Sequence, residues 1–405
     1  MSNTWPKRML KYSQQLQKAV VIMSNTHAKL TLTSILSLSA VGGVSTLITG
    51  IIPQLQHEFP SVPTTLIEWS VTLANLSALV TLILNPKLTQ KFGVRHVVVF
   101  GLLLSGIFGA LPALSASFAW LMACRAMLGL GIGLFSPHAI SLIAHVYHGE
   151  FKTRLMGYQT GISALGNAVL LAVAGILIAL SWRAVFGLYL LLIPLAGLAY
   201  RVLPQRTSLT PNQKGLKLKL PRLQISLCLL AFVTYLIIWG VQLKLPALFV
   251  QHHFGNSQLA NWTLSAMNLG GLLAGLTFGR VHRKLASKTL TLGYLGAAAA
   301  VLIMLFSKQP AIAIFSAIFF NYIYSYTGPY LVWRSSLSLS DHLIDLVSST
   351  LTIATIISAF FAPVVWNWSG QFGFGTLVEN VLLWIALCLG VIGIGSLIWR
   401  KSETP

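Results

Sequence analysis

Apolar runs of about 20 residues recur from one end of this chain to the other, separated by short turns that hold most of its charge. A helix needs about 20 such residues to cross the hydrocarbon core of a bilayer. Within that core every backbone N–H and C=O must be satisfied inside the segment or in a closed barrel. Continuous runs of this length predict helices, approximately over 30–52, 66–86, 97–115, 119–147, 154–179, 183–203, 223–250, 258–280, 288–306, 310–334, 343–366 and 377–399. The expected fold class is an all-α integral membrane protein with twelve transmembrane helices. Only 34 of the 405 residues are charged, against about a quarter in soluble domains, which excludes an ordinary cytosolic enzyme. Cys124, Cys228 and Cys388 each lie inside an apolar run, too scattered for a disulfide framework or a metal cluster, and read as free thiols.

The charges are placed unequally. Of the 27 Lys and Arg, 23 fall in the N-terminal arm, the turns after even-numbered spans and the C-terminal tail. Two (Arg183 and Lys308) fall in turns after odd-numbered spans, and two (Arg125 and Lys244) lie within spans. The positive-inside rule then predicts a multi-pass protein of the plasma membrane with both termini cytoplasmic. The net charge of +20 reports topology and attraction to anionic lipid, and requires neither a nucleic-acid partner nor a cofactor. Residues 1–29 form a basic arm with Trp5, Met9, Tyr12, Leu16, Val20 and Met23 at helical spacing, which suits a segment lying on an anionic membrane. A frayed tail is the alternative. Met-Ser-Asn-Thr occurs at Met1 and again at Met23, so two translation starts stay open.

The longest internal polar connection, 204–222, divides the spans into halves at 30–203 and 223–400, followed by a tail at 401–405. The turn Lys91-Phe-Gly-Val-Arg-His and the turn Arg283-Lys-Leu-Ala-Ser-Lys are offset by 192 residues, close to half the chain. Two six-span halves in a parallel repeat are a transporter architecture, with the site between the halves near the midplane.

On the fourth span, Leu121-Met-Ala-Cys-Arg125-Ala-Met-Leu-Gly129-Leu-Gly131-Ile-Gly133 sets an intramembrane arginine ahead of a glycine ladder. Glu150-Phe-Lys-Thr-Arg154-Leu-Met-Gly157 follows it, and Trp182-Arg183 opens the sixth span. In these motifs the chain resembles the major facilitator superfamily, bacterial twelve-span type, over essentially the whole span region. The resemblance implies a proton-coupled secondary transporter working by alternating access, and a monomer is expected. It places gating and motif residues at Gln90, Lys91, Gly93, Arg95, Gly129, Gly133, Arg154, Gly157 and Gly166. Two motifs depart from the family pattern. In the turn after the second span, Gln90 stands where an acid usually latches the halves by charge, and Pro86 replaces a glycine. In the fifth span, Leu170 and Leu171 stand where the drug/proton antiporter signature has Gly-Pro.

No Asp or Glu falls deep inside a span on this reading; Glu58 and Glu68 border the first outer loop and Glu379 begins the last span. The embedded charges are therefore both positive. An arginine at depth costs about 3 to more than 10 kcal/mol unless paired or facing water. Arg125 shares a face with Gly129, Ile132 and Ser136 and is expected to face a cavity, where it would meet a substrate anion or a coupling proton; a strut to a neighbouring helix is the structural alternative. Lys244 lies about two turns inside its span, where snorkelling explains it better than anion binding. His138 and His145 read as packed or interfacial groups, and His145, His148 and Glu150 lack the spacing of a zinc site.

Uncharged polar residues complete the candidate cavity: Asn75, Gln159, Asn167, Gln242, Asn268 and Asn321, with Ser325 on the face of Asn321 and Tyr322, Tyr324, Tyr326 and Tyr330 around it. Spans three, six and nine carry no interior amide or charge, which agrees with the resembled fold, where those spans and the twelfth form an outer scaffold. Aromatics with a few placed amides suit a small organic solute, and Arg125 with the missing carboxylates leans the expectation towards organic anions. A polyspecific drug exporter is the runner-up and a lipid flippase the third reading. No nucleophile–base or metal constellation marks an enzyme.

Overall fold

The computed structural model describes residues 33–34, 36–114, 117–146, 149–203, 221–336 and 341–401. Side chains at 144–146, 149–154, 156–157, 336, 341–342, 344–345 and 399–401 are not described. The basic arm, nearly all of the connection at 204–222, the end of the tail and His148 lie outside these residues, as do the side chains of His145 and Arg154 and the surroundings of Gly157.

Among the described residues twelve helices cross the molecule: α1 (Leu36–Glu58), α2 (Thr64–Phe92), α3 (Val94–Leu114), α4 (Phe118–Val146), α5 (Gly149–Leu180), α6 (Trp182–Val202), α7 (Arg222–Gln251), α8 (Ser257–Leu285), α9 (Lys288–Phe306), α10 (Pro310–Ser335), α11 (Asp341–Ser369) and α12 (Leu377–Lys401). Eleven are long and apolar enough to span a membrane by length and composition. The exception is α8, whose Asn261, Ser265, Asn268 and Thr277 bond to other helices, while buried Thr263 bonds back to its own helix at Leu259. The first span ends about six residues later than the apolar run suggested, because the run continues through a broken stretch of α1 into Ile52–Glu58.

Local chemistry sets the helix ends. Asn256 accepts the Leu259 N–H to start α8. Thr376 and Glu379 make a reciprocal capping box for α12, the carboxylate taking the Thr376 N–H at 2.9 Å. Gly93, at φ 81 and ψ 154, supplies the turn from α2 into α3. Proline 137 removes an N–H from α4 and leaves the Gly133 carbonyl without its helical donor. Asn85 of α2 fills that vacancy, its amide reaching the Gly133 oxygen at 3.0 Å and the Leu134 oxygen at 2.8 Å. Asn85 in turn accepts from Thr89, which contacts buried His138 at 3.3 Å, so His138 has a packed position between helices.

The glycine ladder of α4 is a packing surface with two sides. A Cβ on Gly129 or Gly133 would lie 2.1 and 2.2 Å from backbone oxygens of α2, and one on Gly131 would lie 2.6 Å from a backbone oxygen of α3. Gly166 of α5 stands equally close to the Ala40 carbonyl of α1. Helices α3 and α6, and likewise α9 and α12, pack within their own halves. The halves meet through α1 and α2 against α7, α8 and α11, and through α5 against α8. We call the side bearing the α1–α2 turn the loop-1 face and the other, where the described residues begin and end, the terminal face.

Gly129→Ala is expected to lower the unfolding temperature of the purified protein by an amount equivalent to about 1–3 kcal/mol, because backbone on both helices must give way. Gly197→Ala, where a Cβ meets nothing within 4 Å, serves as the control and is expected to leave the melting curve in place.

Candidate functional site

Arg125 is 1 % exposed, and its guanidinium makes four hydrogen bonds within the N-terminal half. It donates to the Ser45 carbonyl of α1 at 2.6 Å, the Ser70 and Val71 carbonyls of α2 at 2.5 and 3.2 Å, and the Tyr189 hydroxyl of α6 at 2.7 Å. Tyr189 passes its own proton to the Val44 carbonyl at 3.0 Å. The reason lies in α1, which is broken into 3-10 turns over Val44–Thr46 and Thr49–Ile51. A carbonyl freed from an α-helical ladder in hydrocarbon needs another donor; the arginine fork takes the Ser45 carbonyl, and Tyr189 adds a second donor to the Val44 carbonyl, which also accepts the Leu47 N–H at 3.3 Å. The expectation that Arg125 faces a cavity is therefore corrected: this side chain is a strut tying α1, α2, α4 and α6.

Lys244 does not snorkel. It is 1 % exposed and its ammonium lies 2.5 Å from Glu68 Oε1 and 2.5 Å from Asn367 Oδ1. Asn367 closes the triad by donating to Glu68 Oε2 at 2.8 Å. Glu68 is thus no border residue: α2 begins at Thr64, just after Pro63, which places this carboxylate a full turn inside the bundle. A helix start read from that proline would have revealed it.

Between the halves, four of the amides predicted from sequence come together. Asn167 of α5 donates to Asn268 of α8 at 2.8 Å and accepts from Thr46 of α1 at 3.1 Å. Asn268 donates to its own helix at Leu264. This amide pair roofs a cavity of about 360 Å³ lined by Gly42, Gly43, Gln159, Thr160, Ser163, Ala164 and the pair itself, a size usual for small-molecule sites. Above the roof, a void of about 20 Å³ is bounded by Thr46, Thr49 and Gln242, roughly enough for a single water. Gly43 is required by the geometry, since a Cβ there would lie 2.4 Å from Asn167 Oδ1.

The other predicted residues lie elsewhere. Asn321 donates to the Met267 carbonyl and so straps α10 to α8 within one half, with Ser325 beside it against Gly271. The Asn75 amide nitrogen is buried without a hydrogen-bond partner among the described residues. Arg95 binds the Leu203 carbonyl at 2.6 Å and stacks 5.7 Å from Tyr200, joining α3 to α6, while Gln90 and Lys91 are exposed. Sequence reasoning missed the hydroxyls of the lining, Thr46, Thr49, Thr160 and Ser163, because serine and threonine are tolerated anywhere on a membrane helix.

On the loop-1 side of the cavity the halves are stitched together. Asn261, Trp262 and Ser265 of α8 donate to the carbonyls of Leu171, Ala172 and Ala168 on α5. Trp69 donates to Phe360 O at 2.9 Å and stacks on its ring at 4.9 Å. Nearer the terminal face, Tyr158 of α5 and Leu276 of α8 are 60 % and 70 % exposed. Among the described residues no group of three His, Cys, Asp or Glu could hold a metal ion.

Residues 33–320 match the family model described as Major Facilitator Superfamily. A 3-(3-hydroxy-phenyl)propionate transporter of Escherichia coli K12 is 26 % identical over 235 residues, 55 % of this chain and 57 % of that protein. A methylenomycin A resistance protein of Bacillus subtilis 168 is 26 % identical over 180 residues, 43 % of this chain and 37 % of that protein. The chain therefore matches little more than half the length of these curated relatives, or less. A bacterial homologue of the human lysosomal transporter Spinster, solved in an inward-facing and occupied conformation, is similar in fold with a TM-score of 0.74 at 14 % identity, covering 93 % of this chain and 97 % of that one.

Arg125→Ala is expected to destabilise the N-terminal half by about 3–5 kcal/mol, because three buried carbonyls lose a charged donor at about 1–3 kcal/mol each. Arg125→Lys, with no planar fork, is expected to recover only part of it. Thermal unfolding in detergent checks both; an Arg125→Ala protein as stable as the parent would reject the strut.

Proposed function

Since this chain belongs to the major facilitator superfamily, we propose that it carries an uncharged polar organic solute by rocking its two halves about the cavity beneath Asn167 and Asn268. It is a multi-pass membrane transporter of small solutes and not an enzyme. The observation that carries the finer reading is the lining: amides and hydroxyls with no free charge. Such groups complement hydroxyl, carbonyl or amide groups on a solute. Organic anions, towards which Arg125 and the missing carboxylates leaned the expectation, become the less favoured class, because Arg125 is engaged by carbonyls and a carboxylate, Glu68, is buried against Lys244.

By the distribution of basic residues, both termini face the cytoplasm at the plasma membrane. The loop-1 face is then outward, and the stitched conformation is one whose cavity serves the cytoplasmic side. Each chain holds a whole cavity, which supports a monomer as the working unit. Coupling to protons is part of the proposal on the strength of the family. Export of a drug-like compound is a second reading, favoured by the likeness to a methylenomycin A resistance protein.

The test is transport in proteoliposomes loaded with a pH-sensitive dye, with panels of neutral polar solutes, organic anions and lipophilic cations. Flux of a neutral solute with proton movement is expected, and Asn167→Ala and Asn268→Ala are each expected to reduce it at least about tenfold, the loss of a buried polar contact. Response to anions alone would reject the neutral class, and response to cations alone would favour the exporter.

A further inference from the structure

We propose that Glu68, Lys244 and Asn367 form a charge latch across the two halves that holds the loop-1 face shut and is broken and remade in each transport cycle. The proposal rests on the rocking of two halves set out above, but on a separate cluster, none of whose residues lines the cavity.

Glu68 belongs to the N-terminal half; Lys244 and Asn367 belong to the C-terminal half. Both carboxylate oxygens are engaged, Oε1 by the ammonium at 2.5 Å and Oε2 by the Asn367 amide at 2.8 Å. The same amide nitrogen reaches Thr65 Oγ1 at 3.2 Å, and its oxygen takes the second ammonium contact. Each charged side chain is 2 % exposed. The neighbouring Trp69–Phe360 stack joins α2 to α11 as well.

The other two described ion pairs differ in both respects. Arg183–Glu58 lies within one half, with side chains 39 % and 32 % exposed. His252–Glu379 lies within the other, at 18 % and 33 %. Rocking leaves those pairs untouched, whereas it must separate Glu68 from Lys244.

A buried pair adds little to stability compared with apolar residues of the same volume, but removing one partner leaves an uncompensated charge and is strongly destabilising. Two stable arrangements follow. In one, the pair is made and dry. In the other, the face is open and both charges are hydrated, a state in which carboxylate and ammonium are as well solvated as any surface group. A half-open face, with the charges apart and water excluded, is the least favourable arrangement. Apolar residues would hold the closed face equally well but would oppose its opening, because they gain nothing from water. The latch therefore makes the face two-state and reversible.

Asn367 adds a further property. Its amide donates to the acid and accepts from the base, so a flip of the amide serves the reversed pair equally well.

The test uses full-length protein in lipid nanodiscs without substrate. Spin labels at Ser61 and Gln371, exposed positions beside the latch on opposite halves, report the separation of the halves by electron paramagnetic resonance. Glu68→Gln and Lys244→Met are each expected to raise the open-to-closed ratio at least tenfold. The reversed pair Glu68→Lys/Lys244→Glu is expected to restore the closed distribution. The apolar pair Glu68→Leu/Lys244→Met, which leaves no charge unpaired, is expected to stay closed and to lose transport at least tenfold. Single variants with the parent distribution, a reversed pair that stays open, or an apolar pair that transports normally would each overturn the latch. Because the distances are read without substrate, a failed latch is distinguishable from a wrong solute class.

Discussion

The Arg125 guanidinium is the interaction on which the N-terminal half depends. Helix α1 gives up regular α-helical bonding over its middle, and the hydrocarbon interior has no water to take over the released carbonyls. Arg125 reaches the Ser45 carbonyl, Tyr189 adds a second donor to the Val44 carbonyl beside its 3-10 bond from Leu47, and the same fork holds two carbonyls of α2. The unwinding in turn brings Gly42, Gly43, Thr46 and Thr49 to the space between the halves, where a regular apolar helix would offer only side chains of greater bulk. One buried charge thus permits the irregular backbone that shapes the cavity.

A second economy concerns the helices that carry the polar residues. The structure spends amides in two ways. Asn85, Asn261 and Asn321 satisfy backbone carbonyls on a neighbouring helix, and one of these carbonyls is orphaned by Pro137. Asn167 and Asn268 satisfy each other across the halves and face open space. Only the second kind is available to a solute, since exchanging an amide–amide bond for an amide–solute bond leaves no buried group unpaired. The same distinction separates the two embedded cations from the cavity: each is already matched, one by carbonyls and one by a carboxylate.

The loop-1 face combines several unlike contacts: an ion-pair triad, an aromatic stack and a row of side-chain-to-carbonyl bonds from α8 to α5. Apart from the aromatic stack, they involve groups that water can solvate. A transporter whose halves separate on this face needs such contacts, because an interface built like a domain core would not part.

The sequence by itself determined the class of the molecule. Runs of about 20 apolar residues admit only membrane helices. The division into six and six, and the motifs of α4, placed the chain in its superfamily, as the match over 33–320 bears out. The sequence also marked Asn167, Asn268, Gln159 and Gln242 as polar in apolar surroundings, which any reader of hydropathy would flag. What it could not determine was the partner of each polar group. Arg125 and Asn167 look alike in a linear reading, both costly and both embedded, yet one is closed off by carbonyls and the other borders open space. Glu68 and Lys244 are 176 residues apart, and no local pattern announces that they meet. Burial cost is a property of a residue and is legible from sequence; its compensation is a property of a neighbourhood assembled from distant helices, and only the tertiary structure decided it.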